Sequence, residues 1–272
     1  LARTRRRTEI LKYIENGVKH LFSFEIPSGG FSLFGHSPAS VVLSSYGLQE
    51  FTDILTVYHS SHHSVSSFSL VILGGGCYSS GHSTYEILVA CLDSYRFLGS
   101  FIQEDGKIEE TRITDYHDRV NPQLLTAYLT FSLAYSASSP LLIDKDLQTL
   151  LEPIILDLYT TVKQESVPDT YVTAFIAYSL FLLDHHAEYQ DLCNRLRVLQ
   201  EEDGSFPEAS QTIMSSLGGN ELRDRSYGKG KSIETSALVG RVLSQDDTYR
   251  NTVTKTRYFI QSALQVRVKW DE

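Results

Sequence analysis

Four histidines, His59, His62, His63 and His82, fall in a Ser-, His- and Gly-rich stretch over residues 59–83. Clustered imidazoles are the raw material of a zinc site, but zinc takes its ligands at short recurrent spacings that this stretch does not reproduce. It reads as a long solvated loop, and no metal is expected. Cys77, Cys91 and Cys193 are the only cysteines. Without a Cys-x-x-Cys pair they build neither a zinc knuckle nor a dithiol redox centre. An odd, sparse count gives no disulfide framework. One bridge plus a free thiol fits the count, and so do three buried thiols. Glu50, Asp184 and Glu234 stand near the ends of apolar helical stretches, where a pair of carboxylates would cleave glycosidic bonds. None carries a partner signature. Gly74-Gly75-Gly76 lacks the Lys-Ser/Thr tail of a phosphate loop. His185-His186 reads as a helix end, and Asp144, Asp146 and Asp157 as surface charge around one helix.

The 272 residues carry 33 acidic against 24 basic side chains, a net charge of −9. No basic field covers the chain, which argues against nucleic-acid binding. Arg3, Arg5, Arg6 and Arg7 form the one basic cluster. With 42% hydrophobic residues the chain is too apolar for disorder. The apolar run at residues 68–73 is too short to span a bilayer. The start lacks an apolar h-region and an initiator Met, so it reads as part of a longer chain, not as a signal peptide.

Helical periodicity dominates. One stripe runs from Thr8 through Val18 to Phe22 and breaks at residues 26–30. Pro38 opens a mostly apolar helix through Val41, Tyr46, Phe51 and Leu55. After the 59–83 loop, with a strand-like piece at 66–73, helix resumes from Thr84 to Ile102. Further helices follow Pro122, span Leu147 to Val162, open at Pro168 and span Tyr189 to Leu199. A polar loop covers residues 205–231. Ile233 to Leu243 is apolar and Tyr249 to Leu264 amphipathic.

One unit repeats along the chain. An amphipathic helix is followed by a turn such as Ser28-Gly29-Gly30-Phe31, Gln103-Glu104-Asp105-Gly106 or Gln200-Glu201-Glu202-Asp203-Gly204-Ser205-Phe206. A more apolar helix comes next, carrying Ser44-Ser45-Tyr46, Thr126-Ala127-Tyr128, Thr173-Ala174-Phe175 or Thr235-Ser236-Ala237. An apolar helix needs neighbours all round, and an amphipathic one needs a single covered face. Alternating the two predicts an all-α fold, an α/α toroid of inner helices jacketed by outer ones. Tyr46, Tyr128 and Tyr178 are expected in its core.

The run Ile26-Pro27-Ser28-Gly29-Gly30-Phe31, then Pro38, then Leu43-Ser44-Ser45-Tyr46-Gly47-Leu48, resembles the alpha-2-macroglobulin family. Leu124-Leu125-Thr126-Ala127-Tyr128 and Ser232-Ile233-Glu234-Thr235-Ser236-Ala237-Leu238 are similar to later repeats of its thioester domain. The resemblance covers most of the chain outside 59–83. It implies a single toroid domain over 1–272, with 59–83 as an inserted loop, and extracellular placement. It also implies endopeptidase inhibition by trapping, or innate-immune opsonisation. The implied partners are other domains of a macroglobulin-like parent, together with proteases or cell-surface targets. Membrane insertion, nucleic acid and cofactors are not expected.

The sequence departs from the family at its chemistry. Active members form an internal thioester, a masked acyl donor, from a Gly-Cys-Gly-Glu-Gln run. No such run occurs here, and three residues after Cys77 stands Ser80, not Gln. The resemblance would place the run ahead of Leu1, so the chain is expected to be a fragment or a thioester-free relative, incomplete or open against a full six-pair ring. Its first and last helices, 5–24 and 247–266, should then expose apolar flanks such as Ile260 and Leu264. His117 falls near the register of the family histidine that assists acyl transfer to hydroxyl groups, a role that requires a thioester upstream. A His between acids is also an ordinary loop residue. The turns are similar to those of terpene cyclases and protein prenyltransferase subunits as well, but the Asp-rich motif or zinc set those enzymes need is missing. The expectation is a module acting through surfaces, not an enzyme.

Overall fold

A computed structural model describes residues 13, 16–32, 39–61, 84–103, 121–140, 142, 144–207, 209–213 and 230–268. The regular structure among them is helical, with isolated bridges at Glu25–Phe31 and Phe31–Ser40. The chain parts into two compact units: Leu1–Tyr116 with Tyr135–Leu147, and His117–Ala134 with Gln148–Glu272.

The first unit holds α1 (residues 16–22), α2 (Val41–Ser61) and α3 (Thr84–Gly99). Ser40 caps α2, its hydroxyl accepting the Leu43 N–H at 3.2 Å. Val41, Leu48, Phe51 and Leu55 are buried on α2, and Ile87, Cys91 and Leu98 on α3, which packs against it. Helix α2 runs on through His59 to Ser61, so the loop expected from residue 59 begins later. No Gly or Pro stands between residues 48 and 73 to stop it. Residues 62–83, and with them Cys77 and the strand-like 66–73 piece, lie outside the described residues. Tyr46 is not a core residue: it is 49% exposed, between the buried Ser45 and Gly47.

Helix α4 (Pro122–Ala137) and α5 (Lys145–Gln164) each cross between the units. Asp144 is more than surface charge, because its Oδ1 accepts the Leu147 N–H at 3.0 Å in the first turn of α5. The second unit continues with α6 (Thr170–Leu182), α7 (His186–Val198), α8 (Gly230–Leu243) and α9 (Arg250–Val268). Every residue of α6 from Thr170 to Leu180 is buried, as expected of a helix apolar on all faces. It starts at Thr170, with Asp169 as its cap, two residues later than Pro168 suggests. Tyr128 and Tyr178 are core residues, and their rings pack on Phe175 and Phe131. On α8 the apolar character is incomplete: Ala237 and Arg241 are exposed. On α9 Ile260 is half-buried and Leu264 is 49% exposed.

Among the described residues the same turn is seen in both units. In the first, the Ile26 N–H donates to the Gly30 carbonyl and the Gly29 N–H to the Ile26 carbonyl, both at 2.9 Å. In the second, the Glu201 N–H donates to the Ser205 carbonyl at 2.9 Å and the Gly204 N–H to the Glu201 carbonyl at 3.0 Å. Gly29 and Gly204 have φ of 84° and 90°, where a side chain is strained. The aromatic that follows, Phe31 or Phe206, is fully buried. Its N–H donates to an inner-helix hydroxyl, Phe31 to Ser44 at 2.8 Å and Phe206 to Ser236 at 3.1 Å. These serines therefore do more than let helices approach. Each fixes a turn to the helix that follows it.

Candidate functional site

A group of linked polar contacts lies in the second unit, where α4, α6 and α8 begin. Asp169 caps α6: its Oδ1 accepts the N–H groups of Tyr171 at 2.9 Å and Val172 at 3.1 Å. The other oxygen, Oδ2, accepts the N–H of Ser210 at 3.1 Å and its hydroxyl at 2.9 Å. Tyr171 donates its hydroxyl to Glu234 Oε1 at 2.6 Å, joining the first turns of α6 and α8. Burial, and then the Glu234 charge, push the Tyr171 phenol far above its ordinary value. It stays a neutral donor. Asn121 caps α4 by accepting the Gln123 N–H at 2.9 Å, while Gln211 Oε1 accepts the Asn121 N–H at 2.8 Å.

This arrangement binds helices together and presents no nucleophile beside a base. Asp169 and Glu234 are spent as acceptors. Sequence reading did not single out Asp169, Ser210 or Gln211. The signal for Asp169 was present, since an Asp after Pro and before an apolar run is an N-cap pattern. Ser210 and Gln211 had no signal, because their contacts join residues 41 and 90 positions apart.

The three carboxylates considered for glycan cleavage serve local roles. Glu50 lies one turn beyond Tyr46. Burial, then the Glu50 charge and a hydrogen bond to it, raise the Tyr46 phenol. Asp184 ends α6 with φ of 62°, and the next N–H, of His185, reaches back to the Leu180 carbonyl at 2.9 Å. The His185-His186 pair thus closes α6 and opens α7, with His186 Nε2 3.8 Å from Asp184. Asp184 and Glu234 flank opposite ends of α6, whose 13 residues span about 20 Å. Carboxylates that cleave one glycosidic bond stand within about 10 Å of each other, so these two do not form such a pair. No cluster of His, Cys, Asp and Glu that would hold a metal occurs among the described residues.

The A-macroglobulin TED domain, the thioester domain of that family, matches residues 2–255. The chain belongs to this family. No curated protein matches it. TED domains are modules of multidomain extracellular macroglobulins and in general not enzymes. In this one, no helix among the described residues is long and apolar enough to cross a membrane.

The histidine that the resemblance offered as a site, His117, lies outside the described residues of this TED domain, as do His62, His63, His82 and Cys77. Cys91 and Cys193 are free thiols at 0% exposure. Burial pushes both up to about 12, against smaller opposing hydrogen bonds with Thr52 and Tyr189. At pH 8 such a thiol is a thiolate only about once in ten thousand molecules. Native protein treated with iodoacetamide at that pH should therefore leave Cys91 and Cys193 unmodified. Full modification is expected only after unfolding, as read by peptide mass mapping. Alkylation of either within minutes under native conditions would contradict the burial.

Proposed function

We propose that residues 1–272 are a single TED module of an extracellular macroglobulin-like protein. It serves endopeptidase inhibition by trapping, through non-covalent surfaces and without a thioester of its own. The observation that carries this is the family match over 2–255 in a chain whose sequence holds no Gly-Cys-Gly-Glu-Gln run. The sealed, protonated thiols of Cys91 and Cys193 support it. Opsonisation by acyl transfer needs an acyl donor, which residues 1–272 do not themselves supply, whereas trapping needs only enclosure. The partners are the other domains of the parent and the captured protease. His117 assists acyl transfer only in a parent that supplies a thioester from outside this sequence.

The test uses the parent protein with trypsin. Trypsin should co-elute with the parent under native conditions, cleave small peptide substrates but not large proteins, and separate in denaturant. An isopeptide or ester bond from trypsin to a residue of this chain would overturn the reading, and so would failure to retain trypsin.

A further inference from the structure

Residues 205–207 and 209–213 form a strap that touches each apolar helix of the second unit. Phe206 donates its N–H to Ser236 on α8, Ser210 is held by Asp169 at the head of α6, and Gln211 accepts the Asn121 N–H at the head of α4. The Lys231 ammonium on α8 reaches the Ser210 carbonyl at 3.5 Å. Within the strap Phe206, Ala209, Thr212 and Ile213 are buried. The contacts do not share the load equally. Phe206 contributes a buried neutral hydrogen bond, Gln211 a neutral one, and the Ile213 backbone bonds to Tyr171. Asp169 contributes two charge-assisted ones from a single oxygen, both of them solvent-facing.

We propose that Asp169 is a latch: its Oδ1 caps α6 while its Oδ2 locks the strap of 205–207 and 209–213 across the heads of α4, α6 and α8. The strap is then a local opening unit of its own, separable from the helix that carries its lock. Opening it frees the Asn121 N–H and uncovers the Tyr171–Glu234 pair without melting α6. This inference stands on the contacts of the second unit and does not depend on how the parent protein acts.

Two substitutions separate the roles of the carboxylate. Asp169→Asn keeps an acceptor for the Tyr171 and Val172 N–H groups but turns an amide NH2 toward the Ser210 N–H. Asp169→Ala removes cap and latch together. Hydrogen exchange followed by mass spectrometry on the full chain reads both. In Asp169→Asn, exchange over 205–207 and 209–213 should rise about two- to ten-fold, the scale of one or two solvent-exposed charge-assisted bonds, with the interior of α6 unchanged. In Asp169→Ala the first turn of α6 should speed up as well. Unchanged strap exchange in Asp169→Asn would overturn the latch, and so would an equal rise through all of α6. Should the variants fold poorly, exchange of the unaltered chain in low urea decides. Strap amides opening more readily than those of α6 support the proposal, and opening only together with α6 refutes it.

Discussion

Gly204→Ala destabilises the protein by about 2–6 kcal/mol, combining about 1–3 for a side chain held at positive φ with about 1–3 for forced overpacking. The backbone there has φ of 90°, and an added Cβ would meet the Lys255 carbonyl oxygen at 2.4 Å and its carbon at 2.7 Å. That carbonyl lies inside α9 and cannot retreat without disturbing the helix. The turn would have to lift from α9, dragging Phe206 off Ser236. Gly29→Ala repeats the experiment in the other unit, with φ of 84° and the Asp93 carbonyl oxygen at 2.7 Å. It should lose stability in the same direction. Gly17→Ala is the control. Nothing lies within 4 Å of its Cβ, it sits in helical backbone, and alanine is the better helix former there by about 1 kcal/mol. Urea unfolding followed by circular dichroism measures all three. A loss below about 1 kcal/mol for Gly204→Ala would mean that the turn is not built as described.

Phe175→Ala costs about 3–5 kcal/mol, the range for removing a fully buried aromatic ring. The ring is 3% exposed in the middle of α6. Its centroid lies 5.2 Å from Tyr128, 5.2 Å from Phe131 and 4.9 Å from Tyr171. These neighbours come from two helices, so no single shift closes the void. Phe175→Leu, which fills part of the space, should cost clearly less. The same urea titration compares them, and equal losses for Ala and Leu would show that the site is not tightly packed.

Much of this fold was legible because its rules are local. Gly29 and Gly204 were readable as helix-ending turns, since left-handed backbone selects glycine. Pro122 marks the first residue of α4, and the unbroken apolar run of α6 announces burial on every face. What depends on distant partners was not legible. Periodicity could not say that Tyr46 stands half in solvent while Tyr128 and Tyr178 are covered, because on a helix apolar all round the uncovered turn is set by its neighbours. Ser44 and Ser236 read as small packing residues. Their roles as acceptors for Phe31 and Phe206 emerge only when turn and helix meet. Asp184 read as a carboxylate near a helix end, and its backbone shows a turn residue that tolerates positive φ. Asp169 carried a local cap signal, but its second oxygen finds Ser210 across 41 residues.

The central claim is that residues 1–272 act in a TED module without a thioester among them, and nucleophile sensitivity tests it most directly. A thioester opens to methylamine, releasing a thiol and leaving the amine on the acyl residue. The native parent protein is treated with methylamine, and this chain is mapped by peptide mass. The account predicts no methylamine on any residue of 1–272 and no new thiol at Cys91 or Cys193. Methylamine on a residue of this chain, with a matching thiol released within it, would contradict the account.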